Sequence, residues 1–257
     1  MKFGLCGGMD RLEVAKAIGS DYLEMGVVAI HNWTDEEFEA NLKKIKEVGM
    51  ETPAFNGLFP GDLALIGDKA DPDRRDAYLH RAFARLQKMG GQVVVFGSGG
   101  ARRRPEGLSF FEGYRQLVEV TKAIGTIAAQ YGLTIVIEPL NRRECNYINS
   151  MCEGAQLVAD VNMDSVKLLS DFYHVATDNE PISDITRIGE IAHTHIASKY
   201  KRRYPLPGQP DDYEQFFACL KGIGYDARVS IEGGADDIAA EGALALKHLR
   251  SIWESIE

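Results

Sequence analysis

TIVIEP, residues 134–139, is a short apolar run that ends in a glutamate, Glu138, and three later runs repeat its form. VKLLSD (166–171) ends in Asp171, AHTHIA (192–197) carries His193 and His195, and RVSIEG (228–233) places Glu232 just before two glycines. Runs of this length bounded by turn residues read as strands, and each is separated from the next by enough chain for a helix. Side chains two apart share one face of a strand, so His193 and His195 point the same way. If these strands lie parallel in one barrel, Glu138, Asp171, His195 and Glu232 meet at one rim.

Four earlier runs bring the expected strands to eight: KFGLC (2–6), DYLEMG (21–26), ETPAFN (51–56) and QVVVFG (92–97). Between the strands lie amphipathic stretches with polar starts at Asp10, Thr34, Asp73, Ser109, Asn149, Ser183 and Asp211, and a last one runs from Asp236 to about Ile256. Thr34 precedes Asp35, Glu36 and Glu37, which predicts a capping box at the positive end of a helix dipole. Leu42, Ile45 and Val48 follow at spacing three, and Gly49 supplies the stop. DDYEQFFACLKGIG (211–224) repeats that grammar, with Phe216, Phe217, Leu220 and Ile223 as its apolar face. Strand and helix alternating eight times predict an α/β protein, a parallel (β/α)8 barrel.

A chain of 257 residues with 45% hydrophobic content matches the roughly 250 residues such a barrel uses, so residues 1–257 are expected to form a single domain. No Pro/Ser-rich linker divides them. The longest irregular stretches, 57–72, 98–108 and 198–210, each follow an expected strand, where a barrel carries its functional loops. A formal net charge of -9 disfavours a nucleic-acid partner, because phosphate binding depends on Lys and Arg. Small solutes fit better. Cys6, Cys145, Cys152 and Cys219 are scattered and read as reduced thiols. The first residues lack a signal peptide's apolar region, and no apolar run reaches the roughly 20 residues that span a bilayer. A cytoplasmic protein with no membrane partner is therefore expected, and assembly of identical subunits is left open.

Three carboxylates and one imidazole at a common rim suit a divalent ion of moderate hardness, Mn²⁺, Mg²⁺ or Co²⁺, with Zn²⁺ as a further option. Without an ion the converging charges repel one another, or one carboxyl stays protonated. No GxSxG elbow and no cysteine with a nucleophile's surroundings is present, which argues against hydrolysis through a covalent intermediate.

The segments IEPLNRRE (137–144), DFYH (171–174), HTHIA (193–197) and SIEGG (230–234), in that order, resemble the sugar phosphate isomerase/epimerase family of xylose isomerase-like TIM barrels. Within that family the chain looks most like the ketose 3-epimerases. The resemblance implies that Glu138, Asp171, His195 and Glu232 bind the metal. It also implies that Glu138 and Glu232 form a proton-transfer pair across the reacting carbon, and that Glu144 and His174 hydrogen-bond the substrate near its carbonyl. The residue types fit this chemistry by themselves. Removing a proton beside a carbonyl needs a base, an acid on the opposite face, and stabilisation of the enediolate charge, which a metal supplies.

Two loops depart from the family pattern. Ketose epimerases commonly carry an arginine six residues after the metal histidine, whereas here Lys201 stands there, followed by Arg202 and Arg203. The aromatic shelf after the fourth strand is replaced by SGGARRR, in which Arg102 most closely follows the glycine turn. Lys201 and Arg102 are accordingly expected to contact substrate, and the basic loops admit a sugar phosphate as well as a sugar. The leading expectation is a metal-dependent sugar epimerase or isomerase. Two alternatives are a metal-dependent lyase or dehydratase acting on a keto-inositol or oxidised sugar, and a non-catalytic sugar-binding subunit.

Overall fold

Eight parallel strands close on one another in chain order in this computed structural model, which describes residues 1–256. They are β1 (Lys2–Cys6), β2 (Tyr22–Gly26), β3 (Ala54–Asn56), β4 (Val93–Phe96), β5 (Thr134–Ile137), β6 (Val166–Asp171), β7 (His193–Ile196) and β8 (Arg228–Ile231). β1 closes the barrel by pairing with β8, Lys2 opposite Arg228 and Gly4 opposite Ser230. The helices are α1 (Leu12–Ala17), α2 (Val27–Asn32), α3 (Asp35–Val48), α4 (Pro72–Lys88), α5 (Phe110–Gln130), α6 (Met151–Val161), α7 (Phe172–Thr177), α8 (Asp184–Ile188), α9 (Tyr213–Gly222) and α10 (Ile238–Ser255). Among the described residues no helix is long and apolar enough to cross a membrane.

The helix signals work as their chemistry requires. Thr34 Oγ1 accepts from the Glu37 amide at 3.1 Å while Glu37 Oε2 accepts from the Thr34 amide at 2.7 Å, and Gly49 ends α3 with φ 67°. Other starts lie one or two residues from the expected ones. Asp71 caps α4 with Pro72 behind it, and Ser150, Asp212 and Asp237 cap α6, α9 and α10. Two short helices were not anticipated: α2 and α7 follow directly on the ends of β2 and β6. Six residues hold too few turns for a periodic apolar pattern to stand out.

Strand alternation divides the core into two regions. Leu5, Phe55, Phe96, Ile135, Ile137, Val229 and Ile231 face outward and join the helices in one large apolar layer. Tyr22, Ala54, Val93, Val95, Val136 and Leu169 face inward and fill the lower lumen. Counting by twos along each strand from this plug continues the inward phase upward, from Val136 to Glu138, from Leu169 to Asp171, and from Tyr22 to Glu24. Registry sets the heights: Leu169 pairs with His193, Asp171 with His195, and His195 with Ser230.

Candidate active site

Glu138 and Glu232 each stand one residue beyond their strands, and Asp171 is the last residue of β6. Asp171 also caps α7. Its Oδ1 accepts from the Tyr173 amide at 2.8 Å, which leaves Oδ2 to face the rim. Gly97 leaves room for Glu138 at the neighbouring strand end: a Cβ there would lie 2.1 Å from Glu138 Oε2 and displace that carboxylate. Glu232 Oε1 accepts from Asn56 Nδ2 at 3.2 Å, and Oε2 accepts from Arg202 Nη2.

The four expected ligands do converge, with one donor atom from each lying within 4.8 Å of the others. His195 Nδ1 is 3.3 Å from both Glu138 Oε1 and Glu232 Oε2. Glu138 Oε1, Asp171 Oδ2 and His195 Nδ1 are buried and make no hydrogen bond. Buried polar atoms are nearly always paired, and three orphans aimed at one point fit a divalent cation. A second group, Cys6, Glu24 and His195, also meets ligand spacing, but both Glu24 oxygens and His195 Nε2 are already hydrogen-bonded. The donor set that fits an ion is thus the carboxylate-rich one.

Charge at the rim is tightly balanced. Burial raises Glu138 above the usual carboxylate range and pushes Asp171 up to about 7. Burial acts on Glu232 in the same sense, but the His195 imidazole and the Arg202 guanidinium outweigh it and hold that carboxyl at about 2. The two glutamates are therefore driven apart, one toward the acid form and one toward the base.

His174 lies against the cluster beside Asp171, and Glu144 borders it beside Arg202. The Asn141 amide donates to His174 Nδ1 at 3.1 Å, which places the imidazole proton on Nε2. Nε2 is buried, has no partner, and lies 3.5 Å from Asp171 Oδ2. Burial, aided by Arg202, lowers the His174 pKa to about 3 and keeps the ring neutral. Glu144 Oε1 accepts from Asn141 Nδ2 at 2.9 Å, so one asparagine orients both groups. Arg142 pairs with Asp178 at 2.9 Å and leaves Glu144 free of it.

Two expectations need correction. Arg102 is fully buried, and its guanidinium donates to the Phe96 carbonyl at 2.8 Å and the Glu138 carbonyl at 2.6 Å. It braces the strand ends at Glu138 and, shielded from solvent, is closed to an anion at the rim. Lys201 is exposed, with φ 58°, and its neighbour Arg202, with φ 50°, turns into the rim. Arg202 meets Glu232, lies 3.6 Å from Asp171 and 3.5 Å from Glu144, and stacks on Tyr173 at 4.6 Å. Lys201 and Arg202 both hold the left-handed conformation, which is uncommon outside glycine. The residues not singled out beforehand are Glu24, Asn56 and Asn141. Glu24 did carry a signal, being a charge inside an apolar run and in phase with Tyr22.

A xylose isomerase-like TIM barrel family model matches residues 12–252. The 3-dehydro-D-guloside 4-epimerase of Escherichia coli (strain K12) is 25% identical over 236 residues, covering 88% of this chain and 86% of the relative. Among solved structures, D-psicose 3-epimerase from Clostridium cellulolyticum H10, crystallised with D-tagatose, aligns with a TM-score of 0.87 at 19% identity, over 98% of this chain and 99% of that one. An IOLI protein with a bound zinc atom aligns at 0.80 and 19% identity, over 100% and 99%. With its barrel closed and its matched span covering nearly the whole sequence, this chain belongs to the xylose isomerase-like TIM barrel family.

Proposed function

We propose that this protein is a metal-dependent carbohydrate epimerase that inverts a carbon next to a carbonyl, with Glu138 and Glu232 as its proton-transfer pair. The observation that carries this reading is their placement: two carboxyls flank His195 Nδ1 at 3.3 Å each, one raised and one lowered in pKa. Opposed shifts of this kind separate an acid from a base. Glu138, Asp171, His195 and Glu232 would hold Mn²⁺, Mg²⁺ or Co²⁺, which when bound polarises substrate oxygens and offsets charge developing on them. Glu232 takes the proton from one face of the carbon and Glu138 returns one from the other, or the reverse for the opposite epimer. The His174 Nε2 proton is available to a substrate oxygen, and Glu144 can accept from an adjacent hydroxyl.

An unphosphorylated sugar suits the rim best. Arg103 is committed to the Glu144 carbonyl at 2.7 Å, Arg104 to the Leu108 carbonyl, and Arg203 to Asp236 at 2.8 Å. Arg202 faces the site but is already matched by three carboxylates. The relatives' names as epimerases support the reaction and do not favour a lyase. The four free cysteines accord with a reducing compartment, and we place the enzyme in the cytoplasm.

Incubating the Mn²⁺-loaded enzyme with a panel of free ketoses in deuterated water tests the reading. One carbon-bound proton of a substrate should exchange, and phosphorylated counterparts should react more slowly. Glu232→Gln should lower turnover by about 10² to 10⁴-fold. No exchange across the panel, or undiminished turnover in the variant, overturns the assignment.

A further inference from the structure

Behind His195, beneath the rim, lies a buried polar cluster whose other members the reaction as described does not use. Glu24, His193, His195 and Ser230 are wholly shielded from solvent inside the barrel. Glu24 Oε1 lies 2.8 Å from His195 Nε2, and Oε2 lies 2.8 Å from His193 Nε2 and 2.5 Å from Ser230 Oγ. The Tyr22 hydroxyl lies 2.7 Å from that serine oxygen. An ionised carboxylate only accepts hydrogen bonds, so both imidazoles present Nε2–H to it. In the neutral ring that a bound ion would require, His195 Nδ1 carries the lone pair, and this is the atom facing Glu138 and Glu232.

We propose that Glu24 is a positioning residue for the ion site: by accepting from His195 Nε2 it fixes the ring's tautomer and tilt, so that Nδ1 is presented as a ligand. This rests on the ion-dependent reading above. His193 and Ser230 serve the same end by holding the other carboxylate oxygen, which prevents rotation about the Glu24 side chain. A carboxylate behind a metal-bound imidazole also makes the ring a better donor, and losing such a partner typically weakens metal affinity 10 to 100-fold.

Glu24→Gln separates this role from mere packing. With Ser230 and His193 both donating at the Oε2 position, the amide oxygen belongs there, and the amide NH₂ then faces His195. His195 Nε2 must now accept, and its proton moves to Nδ1. Titration calorimetry with Mn²⁺ should show affinity weakened about 10 to 100-fold, while circular dichroism and cooperative urea unfolding stay near wild type. A second measurement needs no variant: in the Zn²⁺-loaded wild type, long-range ¹H–¹⁵N histidine spectra should show His195 protonated at Nε2 and metal-bound, without a proton, at Nδ1. The proposal is overturned by a proton on Nδ1 in that spectrum, or by a folded Glu24→Gln protein that binds Mn²⁺ within twofold of wild type. If Glu24→Gln does not fold, the spectrum alone decides. Wild-type protein that takes up no divalent ion defeats the ion reading itself and this role with it, whereas equal binding by both proteins defeats only the role of Glu24.

Discussion

Two rim loops of this barrel carry arginine clusters, and they send them in opposite directions. In residues 98–108 the arginine that follows the glycine turn, Arg102, is drawn inward and downward onto the carbonyls of Phe96 and Glu138. In residues 198–210 the arginine Arg202 is turned across the rim onto Glu232, Asp171 and Glu144. One cation supports the backbone at Glu138, and the other neutralises the carboxylates of the rim. A cluster of arginines after a barrel strand therefore does not by itself mark an anion site, because what decides its use is which acceptors the backbone leaves unpaired nearby.

Replacing Arg102 by Met should have the largest consequence for stability. It strips the partner from the buried Glu138 carbonyl and leaves the Phe96 carbonyl with only the Glu138 amide, and urea unfolding should show a loss of about 1 to 3 kcal/mol. If the loss were under about 1 kcal/mol, Arg102 would not be the brace described. Arg202→Gln should divide its effects differently. With Mn²⁺ present, kcat/KM should fall about 10²-fold while the urea midpoint moves less than in the Arg102 variant. Chelation should then destabilise Arg202→Gln more than wild type, because Glu232 and Asp171 lose both counter-charges. Equal responses to chelation would mean that Arg202 does not share the load of the ion.

The smallest expected effect lies outside both loops and gives them a baseline. Glu180 Oε2 accepts from the Met151 amide at 2.8 Å, and burial raises its pKa to about 7. A raised carboxyl binds its proton more firmly in the folded state, so its contribution is complete below the unfolded value and is lost as pH rises toward 7. Wild type should therefore lose stability relative to Glu180→Gln as pH increases from about 4.5 to 7, the model-peptide value setting the lower bound. Thermal unfolding of the pair across that window measures the difference, and parallel curves would remove the shift.

The strands and the convergence of the four rim residues were legible because one rule covers both. Side chains alternate, a strand that is apolar below must turn polar where the lumen opens, and Glu138, Asp171, His195 and Glu232 sit at that turn. Glu24 escaped notice because it lies mid-strand, where its charge is balanced by His193 and His195 from a strand far away in sequence. Asn56 and Asn141 act by orienting other side chains, and nothing in their immediate sequence announces those partners. The exchange of Lys201 for Arg202 was hidden for a different reason. It depends on two positive φ angles, which residues other than glycine adopt only when tertiary contacts hold them there.

The pairing of β1 with β8 has a consequence for how copies of this protein can meet. An open sheet ends in a strand whose amides and carbonyls await a neighbour, and such edges recruit other chains into mixed sheets and fibres. Here the ring has no first or last strand. Any contact between copies must therefore be made by side chains and loops at the surface, and not by extending the sheet.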